Sequence, residues 1–247
     1  MIQDLHSHTY YSFCGKDSPI DVIETAIKGG IQMLGLSDHS YGIGISRPET
    51  ANPDDLAFVN IYQRCLNAYN DHQKLLKNLY SNKIKIKCGV EIPTLDMPYL
   101  ILHPKIDISN FDYCLVEHID MPNSVCENIF DFAKRCGTEK VGIAHTDLPA
   151  FLEAKEKDKL EFFTEMAKRG IFWELNVNYD SIHGFREHAY VKKFFQDEKL
   201  QEIVLKSGVE LSVGFDGHKI EDYLPKRVEE CCRKVSKLGI PMVFEKE

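Results

Sequence analysis

Ten histidines occur in the chain, and six of them stand directly after short apolar stretches that read as β-strands. His6 and His8 follow the first stretch, Asp38 and His39 the second, and Glu91 the third. His118 ends the fourth, His145 the fifth, and Asp216 and His218 the seventh. Imidazole and carboxylate together suit zinc, manganese or iron, and a mixed set fits a cluster of ions better than a lone structural zinc. His6 and His8 are two residues apart, so on an extended backbone both project to one side and can share an ion. Two ions a few ångströms apart clamp the attacking and leaving oxygens of a phosphoryl group and make hydroxide available at neutral pH. Carboxylates alone can bridge two cations while offsetting their repulsion, and Glu91 is the candidate bridge. Each residue by itself has an ordinary reading. His118 or His145 could be a core histidine bonded to backbone, Asp216 before Gly217 a turn, and Ser37-Asp38-His39-Ser40 a cap. Repetition at one strand end after another has no structural cause, and it predicts metal binding.

Such a cluster forms only if the strand ends converge. The strand candidates are Ile2–Leu5, Met33–Ser37, Ile84–Val90, Tyr113–Glu117, Val141–Ala144, Ile171–Asn176 and Val209–Gly214. Several are nearly continuous apolar runs, as expected of parallel strands covered on both faces. Between them lie periodic helices with recognisable ends. Ser18-Pro19 starts one that stops at Gly29-Gly30, and Asn52-Pro53 starts a longer one reaching about Ser81. This alternation implies right-handed βαβ units and a parallel sheet. The predicted fold class is α/β: a distorted seven-stranded (β/α)7 TIM-like barrel, one domain over residues 1–247, with a doubly wound open sheet as the alternative. In parallel barrels the C-terminal strand ends share one mouth, where active sites lie. The basic stretch Asn82-Lys-Ile-Lys-Ile-Lys87 alternates like an exposed strand edge, a guard against aggregation.

The net charge of −8 argues against a nucleic-acid binder that works by broad phosphate neutralisation. An anionic substrate stays compatible, because bound cations reverse the sign inside an acidic pocket. None of the eight cysteines forms a C-x-x-C pair, so neither a zinc knuckle nor a thioredoxin motif is indicated. Apolar runs too short for a bilayer and an N-terminus without a signal pattern point to a cytoplasmic location and no membrane partner.

In order along the chain stand Asp4-Leu-His-Ser-His8-Thr, Gly35-Leu-Ser-Asp-His39, Gly89-Val-Glu91-Ile, Glu117-His118, Ile143-Ala-His145, Glu174-Leu-Asn176 and Gly214-Phe-Asp-Gly-His218. As a set these motifs resemble the polymerase-and-histidinol-phosphatase (PHP) superfamily, over almost the whole chain. The resemblance implies the same seven-stranded barrel and two or three divalent ions (Zn, Mn or Fe). It implies one metal held by His6, His8, Glu91 and Asp216, a second shared through Glu91 and held by His118 and His145, and a third held by His39 and His218. The third site normally has another histidine in the first loop; here that position is Cys14, in Tyr11-Ser-Phe-Cys-Gly-Lys16. The length and the run Asn110–Asp120 look like the stand-alone histidinol-phosphatase branch, whose substrate belongs to histidine biosynthesis.

The expected substrate is a small phosphomonoester, possibly histidinol phosphate. Arginine matches phosphate oxygens bidentately, which makes Arg186 the candidate clamp, with His183 and His188 beside it and Arg47 in the loop after the second strand. His218 and Asp38 are the candidate proton donors to the departing alkoxide. Two rivals share parts of the pattern. An amidohydrolase also opens with His-x-His, but it usually bridges its metals with a modified lysine after strand four, where this chain offers His118. A nuclease-like module would carry a basic stripe, and none is present.

Overall fold

Seven strands form one parallel sheet in sequence order: β1 (Gln3–Asp4), β2 (Met33–Leu36), β3 (Lys85–Pro93), β4 (Tyr113–Glu117), β5 (Lys140–Ile143), β6 (Ile171–Asn176) and β7 (Leu211–Gly214). The computed structural model describes residues 1–44, 52, 54–95 and 103–246. The sheet closes on itself: Leu5 N–H donates to Val213 O at 2.9 Å, Asp216 N–H to His6 O at 2.7 Å, and His8 N–H to Gly217 O at 2.9 Å. Helices α1 (Pro19–Lys28), α2 (Leu56–Leu79), α3 (Ile129–Cys136), α4 (Leu148–Ala154), α5 (Lys159–Lys168), α6 (Ala189–Gln196), α7 (Glu198–Ser207) and α8 (Pro225–Lys237) surround it. The fold is the expected seven-stranded TIM-like barrel, and the open-sheet alternative is excluded by the β1–β7 hydrogen bonds.

Local chemistry sets the helix ends. Ser18 accepts from the Asp21 N–H at the start of α1, with Pro19 in the first turn. The long helix starts later than its sequence suggested: Asp55, not Asn52-Pro53, caps α2 by accepting from the Ala57 N–H. Along α2, Tyr62, Leu66, Tyr69, Gln73 and Leu76 recur at helical spacing and are buried. Among the described residues, no helix is long and apolar enough to cross a membrane.

Strand pairing decides which side chains line the barrel. Met33 pairs with Lys85, Gly35 with Lys87, Glu91 with Leu115, Leu115 with Gly142, and Gly142 with Phe172. These residues share the inner face, while Leu34, Ile86 and Cys114 face the helices. At its lower end the interior is apolar, built from Leu5, Met33, Tyr113, Leu115, Phe172, Val243 and Phe244. Tyr113 crosses this space and donates its hydroxyl to Leu5 O at 2.6 Å. Gly35 and Gly89 make room for it, since a Cβ at either would stand 2.0 or 2.4 Å from the Tyr113 ring and hydroxyl. The lysine run is not exposed along its length: Lys85, Ile86 and Lys87 pair with β2, and Lys87 Nζ lies 3.9 Å over the Phe244 ring at the lower rim.

The C-terminal segment closes that lower end. Val243 N–H donates to Leu211 O at 3.0 Å, and the Gln3 amide donates to Val243 O at 2.9 Å. Phe244, 3% exposed, fills the barrel floor. Phe244→Ala is expected to cost about 3–5 kcal/mol, the usual range for a buried phenylalanine. Urea unfolding of the variant beside the parent checks it.

Candidate metal centre

The first loop carries His6 and His8 out of β1 with both rings on one side, as their spacing requires. Their Nε2 atoms lie 3.1 Å apart. Asp216 Oδ1 stands 3.0 Å from His8 Nε2 and 3.5 Å from His6 Nε2. Glu91, on the inner face of β3, reaches His6 Nε2 at 3.2 Å, His8 Nε2 at 3.4 Å, His39 Nδ1 at 2.9 Å and His145 Nε2 at 3.3 Å. One carboxylate thus faces histidines delivered by β1, β2 and β5.

Three further carboxylates complete the arrangement, and none was assigned a role from sequence. Glu117, at the end of β4, lies 3.3 Å from His39 Nδ1 and 3.1 Å from His118 Nδ1. Glu174, on β6, accepts from His6 Nδ1 at 2.8 Å through one oxygen and from the His145 backbone N–H at 2.7 Å through the other. Asp180 accepts from the His183 backbone N–H and from His183 Nδ1, each at 2.8 Å, and stands 3.2 Å from His218 Nδ1. Strand parity would have found two of the three. Glu117 pairs with Pro93 on the face that carries Glu91, and Glu174 follows the inward Phe172 by two.

The cluster fits divalent cations. His39 Nδ1, His118 Nδ1, Glu91 Oε2 and Glu117 Oε1 are buried without a hydrogen bond, although buried polar atoms are nearly always satisfied. His39 Nδ1 and Glu91 Oε2 are close yet lack hydrogen-bond geometry, which is how two ligands of a common ion stand. Ligand atoms of His6, His8 and Asp216 fall within 4.8 Å of one another, as do those of His39, Glu91 and Glu117, and those of His8, Cys14, His39 and His218. The mixed nitrogen and oxygen set suits zinc, manganese or iron.

The carboxylates and imidazoles of the cluster set one another's charge. Burial opposes ionisation of Glu91, but the His6 and His39 rings hold its carboxyl well below the usual range. Burial is likewise outweighed at Asp216, where His6 and His218 keep the carboxylate charged. His8 is pushed down to about 3 by burial and by the charge of His39, so its imidazole is neutral and free to ligate at pH 7. Against its own burial, His145 is raised to about 9 by Glu91. For the Cys14 thiol, burial works upward, but hydrogen bonds from His218 and His39 bring it down to about 7.

The backbone at three candidate ligand positions is left-handed: His118 has φ 63°, His145 φ 26° and Asp216 φ 57°. Non-glycine residues in this region cost energy and collect at functional sites. These strand ends turn sharply enough to aim their side chains back across the mouth.

The remaining candidates occupy distinct places. Asp38 is fully buried and saturated: it accepts from the Thr9 N–H and hydroxyl at 2.6 and 2.7 Å, the Ser12 N–H and hydroxyl at 3.1 and 2.7 Å, and the Tyr69 hydroxyl at 2.9 Å. Those bonds hold the loop that carries His8 and Cys14. His218 points Nδ1 at Asp180 and stacks on His8 with ring centres 4.5 Å apart. His183 Nε2 lies 3.9 Å from Asp216, and the His188 ring stacks on His145 at 6.0 Å, so both flank the cluster. Arg186 follows in the same loop, exposed, with no ion pair among the described residues. Arg47 lies outside the described residues.

Known proteins agree with this picture at the level of family and fold. No curated protein matches the sequence. A histidinol phosphate phosphatase from Lactococcus lactis, solved with zinc, L-histidinol and phosphate, superposes with a TM-score of 0.58 at 16% identity, covering 97% of this chain and 94% of its own. A putative histidinol phosphatase from Listeria monocytogenes gives 0.52 at 13% identity, covering 89% and 96%. The PHP domain model matches residues 4–238, a span that contains every ligand candidate named above. The chain belongs to the PHP domain family.

Proposed function

We propose that the chain hydrolyses a small phosphomonoester at a cluster of divalent cations. The observation that carries this reading is Glu91, one buried carboxylate within 3.4 Å of four histidine nitrogens. His6, His8, Glu91 and Asp216 would hold one cation; Glu91, His118 and His145, with Glu117 alongside, would hold a second. When bound, such ions neutralise phosphoryl charge and acidify water. The protein's own part is placement. Glu174 fixes the His6 ring and the His145 backbone together, so ligands from β1 and β5 keep one relative position. Asp38 anchors the first loop, and its filled hydrogen-bonding capacity argues against a role in proton donation.

Arg186, without an ion pair among the described residues, stands in the loop beside His183 and is suited to a phosphate oxygen. Arg186→Ala is expected to raise KM about tenfold or more while changing kcat less, the loss of one charge-assisted hydrogen bond. Steady-state kinetics on the best substrate check this. Histidinol phosphate heads the substrate candidates, supported by the ligands of the Lactococcus protein and by the motifs shared along the chain.

The deciding experiment strips the protein with a chelator, restores zinc, manganese or iron singly, and assays histidinol phosphate, an aryl phosphate, a dihydropyrimidine and a lactone. Metal-dependent phosphate release is the expected result. Turnover of the lactone or dihydropyrimidine without phosphate release would overturn the reading in favour of amidohydrolase chemistry.

A further inference from the structure

Helix α2 spans 24 residues, against 13 for α8, the next longest among the described residues. Its inner face packs on the barrel through Tyr62, Leu66 and Tyr69. Helical periodicity puts Ala57, Ile61, Arg64, Ala68, Asp71, Leu75 and Leu79 on the opposite pole. The outward side of such a helix is normally polar. Here Leu79 at 64%, Leu75 at 62% and Ile61 at 58% are the three most exposed large apolar side chains among the described residues. Ile61, Ala68 and Leu75 also repeat at the heptad interval of a two-helix seam. A contiguous apolar strip of this kind marks a contact surface.

The strip is complementary to itself in one orientation. Laid antiparallel about a two-fold axis at Ala68, Ile61 of one copy meets Leu75 of the other, and Ala57 meets Leu79. The small Ala68 side chains let the helix axes approach to about 8 Å. Charge selects the same orientation. Arg64 and Asp71, on either side of Ala68, are exposed and form no ion pair among the described residues. Antiparallel pairing places each Arg64 beside Asp71 of the second copy, and two-fold symmetry makes that contact twice. Parallel pairing would set Arg64 against Arg64 and Asp71 against Asp71.

We infer that α2 is the interface of an antiparallel dimer formed with a second copy of this chain. Area sets its strength. A strip about 36 Å long and about 10 Å wide on each copy gives roughly 700 Å² for the pair, less than the ~1,200 Å² of a standard permanent interface. The dimer is therefore weak and reversible. Because α2 lies along the barrel wall, antiparallel helices turn the two mouths in opposite directions and leave both open. The inference does not depend on what reaction the mouth performs.

Sedimentation velocity in reducing buffer, from about 5 to about 500 µM protein, reads the association directly. The parent is expected to pass from monomer to dimer across that range. Leu75→Lys should raise the dissociation constant about tenfold or more, since the change occurs twice in the interface, while the melting temperature stays near the parent's. Arg64→Asp and Asp71→Arg should each weaken the dimer alone. Together they should restore it, a result that non-specific apolar contact cannot give. A monomer at every concentration, which would leave the strip to a different protein, overturns the inference. So does a dimer indifferent to Leu75→Lys, or a double charge reversal that associates no better than the single ones.

Discussion

Glu91→Gln is expected to lower kcat/KM on a phosphomonoester by about 1000-fold or more, a loss of ~4 kcal/mol in transition-state stabilisation. The substitution is nearly isosteric, so packing inside the barrel changes little. What changes is charge: the carboxylate that meets His6, His8, His39 and His145 at once becomes neutral. A neutral amide holds cations poorly and cannot offset the repulsion between two of them. Metal content should fall together with activity, and elemental analysis after gel filtration reads it separately from kinetics. Retained metal with near-parent turnover, assayed with added manganese or zinc, would remove Glu91 from the bridging position.

Gly214→Ala is expected to disable the site from one added methyl group. A Cβ there would stand 2.0 Å from Glu174 Oε1 and 2.6 Å from His6 Cβ, and neither neighbour has room to retreat. Glu174 is 1% exposed and tied at both oxygens, and His6 is fully buried. Overpacking of this kind costs typically ~1–3 kcal/mol of stability. The larger consequence is displacement of the His6 ring and, through Glu174, of the His145 backbone. Activity and metal content should drop at least about tenfold while a folded barrel persists, measurable by thermal melts beside the assay. A variant that melts like the parent and keeps full metal would show that the β6–β7 contact has slack.

Much of this was legible in the sequence, for a definite reason. Strand ends with His6, His8, His39, Glu91, His118, His145, Asp216 and His218 converge because a closed parallel barrel gathers its C-terminal ends, and the hydrogen bonds from β1 to β7 close it. The histidines advertised themselves by repetition. Glu117, Glu174 and Asp180 did not, because a single acidic residue near a strand end is common and its inward orientation follows only from register. Glu117 shares the inner face with Glu91 because Pro93 pairs with it, a fact that periodicity in one strand cannot supply. Asp38 shows the opposite case. Its place beside His39 suggested proton transfer, whereas Thr9, Ser12 and Tyr69, distant in sequence from one another or unremarkable in type, consume its oxygens. The lysines before Cys88 looked like an edge because alternation is the same on an edge strand and on the lower inner rim of a barrel. Only the floor residue Phe244, beneath Lys87, tells the two apart.

In the proposed metal centre, the left-handed turns at His118, His145 and Asp216 would set function against heat resistance. These are positions where glycine would sit at ease and where an imidazole or carboxylate costs about 1 kcal/mol or more. Selection for survival at high temperature, applied without selection for catalysis, would pull all three toward glycine. The barrel would grow sturdier as its mouth emptied, so laboratory evolution of this scaffold has to score both properties in every round.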